Sequence, residues 1–220
     1  MTEPASPGFD SAVATGRGDD GTTGLLYGGE RIRKDDPRAE AYGTIDEAVA
    51  ALGLARAELG LRRQLDVLPP VLAELSETIL ALQRDLFVVA AELATNPDAW
   101  DRLADGRTRV SEAMVAAIDH RLRDLETRIE MPHEFVVPGE TRTSAALELA
   151  RTILRRAERR AVSLRAAGLI PGDHLLPYLN RSADLLWVLA RAAEQAESRS
   201  ATPSRSGRRR QSTNKEHTNR

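Results

Sequence analysis

The sequence predicts an all-α protein, an up-down bundle of five helices, and three observations lead to this fold class. Apolar residues recur every three to four positions along five separate stretches, which is the period of an amphipathic helix. Hydrophobic residues make up 41% of the 220 residues but aromatic residues only 4%, so the core must be built from Leu, Ala, Val and Ile. No convincing pair of strands is visible. Five such helices pack most naturally as a bundle.

The first two helices have clear boundary signals. Asp36 is a good N-cap, and Pro37 suits the first helical position because its fixed φ is already helical. The apolar period that follows predicts a helix that ends at Gly60. A second helix is predicted to begin at the proline pair 69–70 and to end at Thr95-Asn96-Pro97.

Three more helices follow a polar connection. Ser111 is the predicted N-cap of the third helix, whose last periodic residue is Ile129. The fourth helix is predicted from about Thr141 to Ala167, after a short extended piece around residues 133–139. Asp173 is the predicted N-cap of the fifth.

The chain divides into a flexible N-terminus (1–14), one helical-bundle domain (15–197) and a disordered basic tail (198–220). The tail has seven Lys or Arg and one Glu, so its net charge is +6. Because the net charge of the whole chain is −2, the other 197 residues together carry −8. Its lack of apolar residues predicts disorder. A solvated extension is the first interpretation of the tail, and weak binding to RNA or an anionic surface is the second. The acidic body argues against general nucleic-acid binding.

Several other classes of protein are excluded. No apolar stretch approaches the roughly 18 residues that span a bilayer, the start of the chain does not resemble a secretory signal, and there is no cysteine, so a cytoplasmic protein is predicted. Glu130 and His133 have the spacing of a di-iron bundle pair. Pro132 between them breaks the helical register, and no second pair exists, so we reject that interpretation.

Residues 151–160 read RTILRRAERR, with five arginines and one glutamate. On a helix Arg151, Arg155 and Arg159 share one face, where like charges repel mildly. A solvated face is one explanation. The other is a binding site for a polyanion such as a nucleoside triphosphate, because guanidinium groups match phosphate oxygens and stay charged.

Two further stretches carry unusual polar residues. Residues 15–23, TGRGDDGTT, combine glycines with hydroxyl side chains, which suits phosphate binding, although the stretch matches neither a Walker loop nor a dinucleotide fingerprint. In the fifth predicted helix, Asn180 and Asp184 lie one turn apart with Arg181 beside them. They need polar partners, which either neighbouring helices or a ligand could supply.

Together and in order, these stretches resemble the ATP:corrinoid adenosyltransferases of the propanediol-utilisation type, over about residues 12–195. The matching pieces are Thr15-x-x-Gly18-Asp-x-Gly-Thr-Thr23, Lys34-Asp-Asp-Pro-Arg38, Ala41-Tyr-Gly-Thr-Ile-Asp-Glu47, Phe135-Val-Val-Pro-Gly139, Ser144-Ala-Ala-Leu147, Arg151-x-x-x-Arg-Arg-Ala-Glu-Arg159 and Leu179-Asn-Arg-Ser-Ala-Asp184. The resemblance implies a homotrimer of five-helix bundles with active sites between subunits. It also implies transfer of the 5′-deoxyadenosyl group of ATP to the Co(I) ion of cobalamin, with release of triphosphate.

The resemblance also implies the roles of particular residues. Arg155, Arg159 and Asn180 would be the catalytic residues, and Arg151 would pair with Asp46 across the subunit interface. Phe135 would lie against the lower face of the corrin. The residues implied to bind ATP, its phosphates and magnesium are Thr15, Gly18, Asp19, Asp20, Gly21, Thr22, Thr23, Lys34, Arg155, Arg156, Glu158, Arg159 and Asn180. The ATP phosphates would hold most of the magnesium ligand sphere. A corrinoid reductase and a cobalamin-dependent mutase are the implied partners.

The sequence departs from the family pattern at three places. Arg17 stands where the family usually has threonine, and Asp20 where many members have lysine, so the loop keeps its charge. Family members often end in a tail with an aromatic residue that helps to cover the cobalamin. After Ala196 this chain has none. An ATP- or corrinoid-binding sensor or carrier without turnover is therefore the alternative function.

Overall fold

The five predicted helices are confirmed in a computed structural model, which describes residues 14–64 and 70–204. The predicted flexibility of residues 1–13 and disorder of residues 205–220 lie outside the described residues. None of the described helices is long and apolar enough to cross a membrane. The helices are α1 (Pro37–Gln64), α2 (Pro70–Leu93), α3 (Glu112–Arg128), α4 (Arg142–Ala166) and α5 (Leu175–Ala196), with a short 3-10 helix at Pro97–Arg102.

Three of the predicted helix starts are confirmed with their caps. Pro37 is the first residue of α1, and Asp36 Oδ1 accepts a hydrogen bond from the amide of Arg38 at 2.8 Å. Ser111 caps α3 through the amide of Met114. Thr141 caps α4, where it exchanges hydrogen bonds with Ser144 in a reciprocal capping box.

Two predicted boundaries are wrong. Gly60 does not end α1, which continues to Gln64. The buried side chain of Leu59 keeps the chain helical, because its packing outweighs the roughly 1 kcal/mol that glycine costs inside a helix. Asp173 does not cap α5; His174 occupies that position and makes no side-chain cap bond. Asp173 instead forms a salt bridge with Arg165 of α4, so its carboxylate is turned away from the α5 amides.

Two short antiparallel strand pairs lie outside the bundle, where the sequence showed no convincing pair. β1 (Thr22–Thr23) pairs with β2 (Ile32–Arg33) and closes the N-terminal loop into a hairpin. β3 (Val136–Val137), between α3 and α4, pairs with β4 (Thr202–Pro203), beyond α5. Residues 202–203, which lie within the segment predicted as the tail, thus form a strand with the body of the protein.

The core is formed by interlocking leucine and alanine side chains. α4 packs along α1 on one side and along α5 on the other, α2 contacts α1 and α5, and α3 lies against α5. Small residues of α4, such as Ala150 and Ala157, are fully buried and allow its neighbours to approach closely. The outer side of α4 is left uncovered in the single chain, where Leu149 is 50% and Val162 is 52% exposed.

Candidate active site

The arginines of α4 divide into two sets with different partners. Arg156 and Arg160 face α1: Arg156 forms a salt bridge with Glu47, and Arg160 pairs with Glu40 at 2.7 Å and also donates to Thr44. These two side chains therefore join α4 to α1 inside one chain. Within one chain this part of the charge run thus has carboxylate partners on α1, which the sequence did not reveal.

The other set points away from the bundle. Arg155 and Arg159 are exposed, and neither forms a salt bridge within residues 14–64 and 70–204. Arg159 Nη1 donates to the backbone oxygen of Arg155 at 3.0 Å. Arg151, one turn earlier, is held by Glu148 at 2.6 Å. Two neighbouring guanidinium groups without a carboxylate partner make a local concentration of positive charge that suits an anionic ligand.

Asn180 lies at the edge of this arginine set. Its Nδ2 donates to Glu158 Oε1 at 3.2 Å, which links α5 to α4. The structure thus joins Asn180 to Glu158, both of which the family resemblance had assigned to one site. Asp184 lies one turn further along α5, on the wall of the cavity described below.

The N-terminal loop is a series of tight turns. Gly16 and Gly21 have φ of +68° and +78°, a conformation that L side chains rarely adopt. Asp20 Oδ1 accepts hydrogen bonds from the amide and the hydroxyl of Thr22 at 2.9 and 2.8 Å. These bonds, together with the charge of Arg31, lower the pKa of Asp20 below its usual value. Asp20 is therefore ionised and stabilises the turn.

Arg31 was not predicted as a site residue, yet it holds the loop in shape. Its Nε donates to Thr22 Oγ1 at 2.7 Å, and its Nη2 donates to the backbone oxygens of Arg17 and Thr22 at 2.6 and 3.0 Å. Lys34 lies over Gly18: its Nζ is 3.0 Å from where a Cβ on that glycine would stand. Any larger residue at position 18 would therefore displace the lysine. The loop presents backbone amides, hydroxyls and one lysine together.

Phe135 stands at the mouth of a cavity of about 710 Å³. Its side chain is 87% exposed, an unusual state for a large apolar group. The opposite walls include Trp187 and Asp184 of α5 and Arg151 and Arg155 of α4. Trp187 was not predicted as a site residue. Its signal was present in the sequence, because it follows Asp184 by three residues and so lies on nearly the same face of α5.

The loop that carries Phe135 is attached to the end of α5 and to the tail. Gln195 exchanges two hydrogen bonds with the backbone of Glu130, at 2.9 and 2.6 Å. Further along, the β3–β4 pair is extended by the amide of Ser204, which donates to the oxygen of Phe135 at 2.6 Å. The backbone of Phe135 is therefore fixed although its ring is exposed.

Asp46, the other predicted interface residue, is an exposed residue of α1. Partial desolvation raises its pKa above the usual value, and it has no cation partner within the part of the chain that is described. Inside one chain Arg151 pairs with Glu148 and not with Asp46.

Among the described residues, one arginine without a carboxylate partner, Arg155, thus lies beside a large, partly aromatic cavity in a helical bundle, which defines the class of protein with a site for an anionic ligand next to an apolar surface. The sequence profile of the cobalamin adenosyltransferase family matches residues 13–193. The chain therefore belongs to the cobalamin adenosyltransferase family.

Individual relatives agree with this assignment. The corrinoid adenosyltransferase of Citrobacter freundii is 38% identical over 182 residues, which cover 83% of this chain and 94% of the relative. That of Bacillus subtilis is 35% identical over 177 residues, or 80% and 83% of the two chains. A variant of the PduO-type ATP:corrinoid adenosyltransferase from Lactobacillus reuteri, solved with cobalamin and ATP, superposes with a TM-score of 0.74. It is 27% identical and covers 87% of this chain and 98% of its own.

Proposed function

We propose that this chain transfers the 5′-deoxyadenosyl group of ATP to the Co(I) ion of a reduced corrinoid and releases triphosphate. One observation carries the proposal: Arg155, which has no carboxylate partner among residues 14–64 and 70–204, lines the same cavity as Phe135 and Trp187. A phosphate-binding cation thus lies beside a surface that fits a flat macrocycle. The alternative, a sensor or carrier, would use the same two ligands but would not require them to react.

The reaction needs no side chain to act as a nucleophile or a base. Co(I) supplies an electron pair to form the cobalt–carbon bond at C5′, the bond from C5′ to the phosphate oxygen breaks, and triphosphate departs with the electron pair of the broken bond. The protein must align the two reactants and stabilise the charge that gathers on the leaving group. Arg155 and Arg159 supply fixed positive charge for this. Asn180 donates a hydrogen bond to Glu158, which lies between the two arginines in the sequence.

The N-terminal loop is the proposed binding site for the phosphates and for magnesium. Its hairpin offers backbone amides, the hydroxyl of Thr23 and Lys34, while Thr22, whose hydroxyl binds Asp20 and Arg31, holds the hairpin in shape. Magnesium would be held mainly by phosphate oxygens, as is usual for nucleotide substrates. The loop residues proposed for this role are Thr15, Gly18, Asp19, Asp20, Gly21, Thr22, Thr23 and Lys34.

An oligomer is proposed because the site is incomplete in one chain, and the family resemblance implies that this oligomer is a homotrimer. No hydrogen bond or salt bridge among the described residues joins the loop to Arg155 or Arg159. The uncovered side of α4 carries these arginines between the exposed Leu149 and Val162, which favours its burial against another subunit. In that assembly Arg151 would meet Asp46 of a neighbouring copy. Light scattering at several protein concentrations tests the trimer directly.

The cellular setting is proposed on chemical grounds. A corrinoid reductase must supply Co(I), which water and oxygen consume, and a cobalamin-dependent mutase would use the alkylated product. A cytoplasmic location is consistent with a chain of 220 residues without cysteine.

The decisive experiment is an anaerobic assay with magnesium, ATP and chemically reduced cobalamin, followed by the absorption spectrum of cobalt. We expect the spectrum of an alkyl-cobalt product together with one triphosphate for each product formed. Binding of ATP by calorimetry without either product would favour the sensor or carrier.

Arg31→Ala should weaken the binding of magnesium–ATP by about three- to tenfold, since a lost hydrogen bond of a charged group is worth about 1 kcal/mol or more. The substitution removes three hydrogen bonds that fix the loop and touches no residue of α4. Isothermal calorimetry measures the change. Arg33→Ala is the matched control, because Arg33 lies on β2 and its side chain pairs with Asp35. Equal affinities of the two variants would contradict the role of Arg31.

Removal of residues 201–220 should raise the KM for cobalamin several-fold and leave the affinity for ATP unchanged. This truncation deletes β4 and the Ser204 bond to Phe135, whereas removal of residues 205–220 alone keeps both. Steady-state kinetics on the two truncated proteins give the comparison. If both behave like the full chain, the β3–β4 pair does not support corrinoid binding.

A further inference from the structure

Four charged side chains form a continuous row between α4 and α5. Arg151 Nε lies 2.6 Å from Glu148 Oε2, Glu148 Oε1 lies 3.4 Å from Arg191 Nη2, and the same Nη2 lies 2.8 Å from Glu194 Oε1. The side chains of Glu148, Arg191 and Glu194 are only 4, 1 and 2% exposed, whereas that of Arg151 is 24% exposed. The row therefore runs from the active-site wall into the core.

Stability does not explain this row. Burial of charges costs several kcal/mol per ion, and apolar side chains of similar size often stabilise such a position equally well or better. The row is also incompletely satisfied, because Nε and Nη1 of Arg191 and Oε2 of Glu194 have no hydrogen-bond partner among the described residues. Burial raises the pKa of Glu194, which reflects the same cost. A costly buried arrangement beside an active site suggests a functional role.

The two members of the row that belong to α4 line the cavity of Phe135. Glu148 and Arg151 line its wall, and so does Trp187. The guanidinium carbon of Arg191 lies 5.5 Å from the centre of the Trp187 ring, within the range of a cation–π contact. Arg191 therefore contacts two wall elements at once: the carboxylate that holds Arg151, and the indole.

We propose that Glu148 and Arg191 are positioning residues, which fix Arg151 and the Trp187 ring for corrinoid binding. Glu148 binds Arg151 through Nε and leaves the Nη atoms of that arginine available to the neighbouring subunit. Arg191 fixes Glu148 from behind and restrains the indole as a rigid wall. Precise placement of such groups matters because small displacements of reactants cost large factors in rate. This inference rests on the proposed function.

Kinetics of Glu148→Gln and Arg191→Lys test the proposal. Each should lower kcat/KM for cobalamin by about tenfold, which corresponds to 1.4 kcal/mol, and leave the calorimetric affinity for ATP within twofold. Arg191→Met should lower kcat/KM for cobalamin more than Arg191→Lys does, because lysine keeps the buried positive charge. Glu92→Gln is the matched control: Glu92 is equally buried, on α2, but it contacts the amide of Val110, away from the cavity.

A second measurement does not depend on activity. The chain has two tryptophans, so Trp100→Phe leaves Trp187 as the sole tryptophan, which can be excited selectively over the tyrosines. In that background Arg191→Met should increase quenching of Trp187 by acrylamide, and Glu92→Gln should not. If Arg191→Met leaves both the quenching of Trp187 and kcat/KM unchanged, and lowers the melting temperature only as much as Glu92→Gln does, the proposal is overturned. A wild-type protein that forms no alkyl-cobalt product would refute the function, whereas the quenching result would still show whether Arg191 holds Trp187.

Discussion

Arg155→Ala should lower turnover by about 100-fold or more, while circular dichroism shows unchanged helical content. The reason is electrostatic: a preorganised donor aimed at a developing negative charge typically contributes a factor of 10² to 10³ to the rate. Arg155 is exposed and forms no salt bridge in the described part of the chain, so its removal leaves no buried partner without a counter-ion. Steady-state rates of triphosphate release at saturating ATP and cobalamin measure the effect.

Arg160→Ala is the control for this prediction. Arg160 belongs to the same helix and the same charge run, but it pairs with Glu40 and Thr44 of α1. Its removal should lower the melting temperature by a few degrees and change turnover by less than about threefold, as expected for a partly exposed ion pair. If Arg155→Ala and Arg160→Ala lose equal activity, the division of the arginines into two sets has no functional meaning.

Phe135→Ala should reduce the rate of adenosylation by about tenfold or more, with unchanged affinity for ATP. The ring is 87% exposed, so a corrin that covers it would bury most of its surface, and buried aromatic rings contribute strongly to binding. The ring would also keep water from the lower face of the cobalt. Stopped-flow absorbance with reduced cobalamin gives the rate.

Phe87→Ala provides a matched substitution. Phe87 is also an exposed phenylalanine, at 62%, but it lies on α2 and does not line the cavity. That variant should retain the wild-type rate and the wild-type KM for cobalamin. A Phe135→Ala protein as active as Phe87→Ala would show that the ring has no part in the reaction.

Much of the fold could be predicted because each helix carries its own local signal. The capping residues Asp36, Ser111 and Thr141 act on amides two or three positions away, so their effect is visible in the sequence. Gly60 and Asp173 misled the prediction for the opposite reason. Burial of Leu59 requires packing against other helices, and Asp173 forms a salt bridge with Arg165 at the end of the preceding helix; neither contact is visible in the local helix signal.

The candidate site was predicted unevenly for the same physical reason. The run RTILRRAERR shows that α4 is rich in cations, but not that Glu47 and Glu40 of α1 engage two of them. Arg31 was missed because its partners are loop carbonyls that every residue possesses, so no residue type signals the contact. The resemblance to a family, rather than periodicity, indicated Phe135, whose ring contributes nothing to the core.

The β3–β4 pair has a consequence for synthesis of the chain on the ribosome. Residues 202–203 are made after all five helices, yet they pair with residues 136–137, which emerge much earlier. A nascent chain can therefore complete the bundle before the loop of Phe135 acquires its last strand. The loop that carries Phe135 is therefore completed only after the helices have been synthesised, and a translation product that stops near residue 200 would lack the β3–β4 pair.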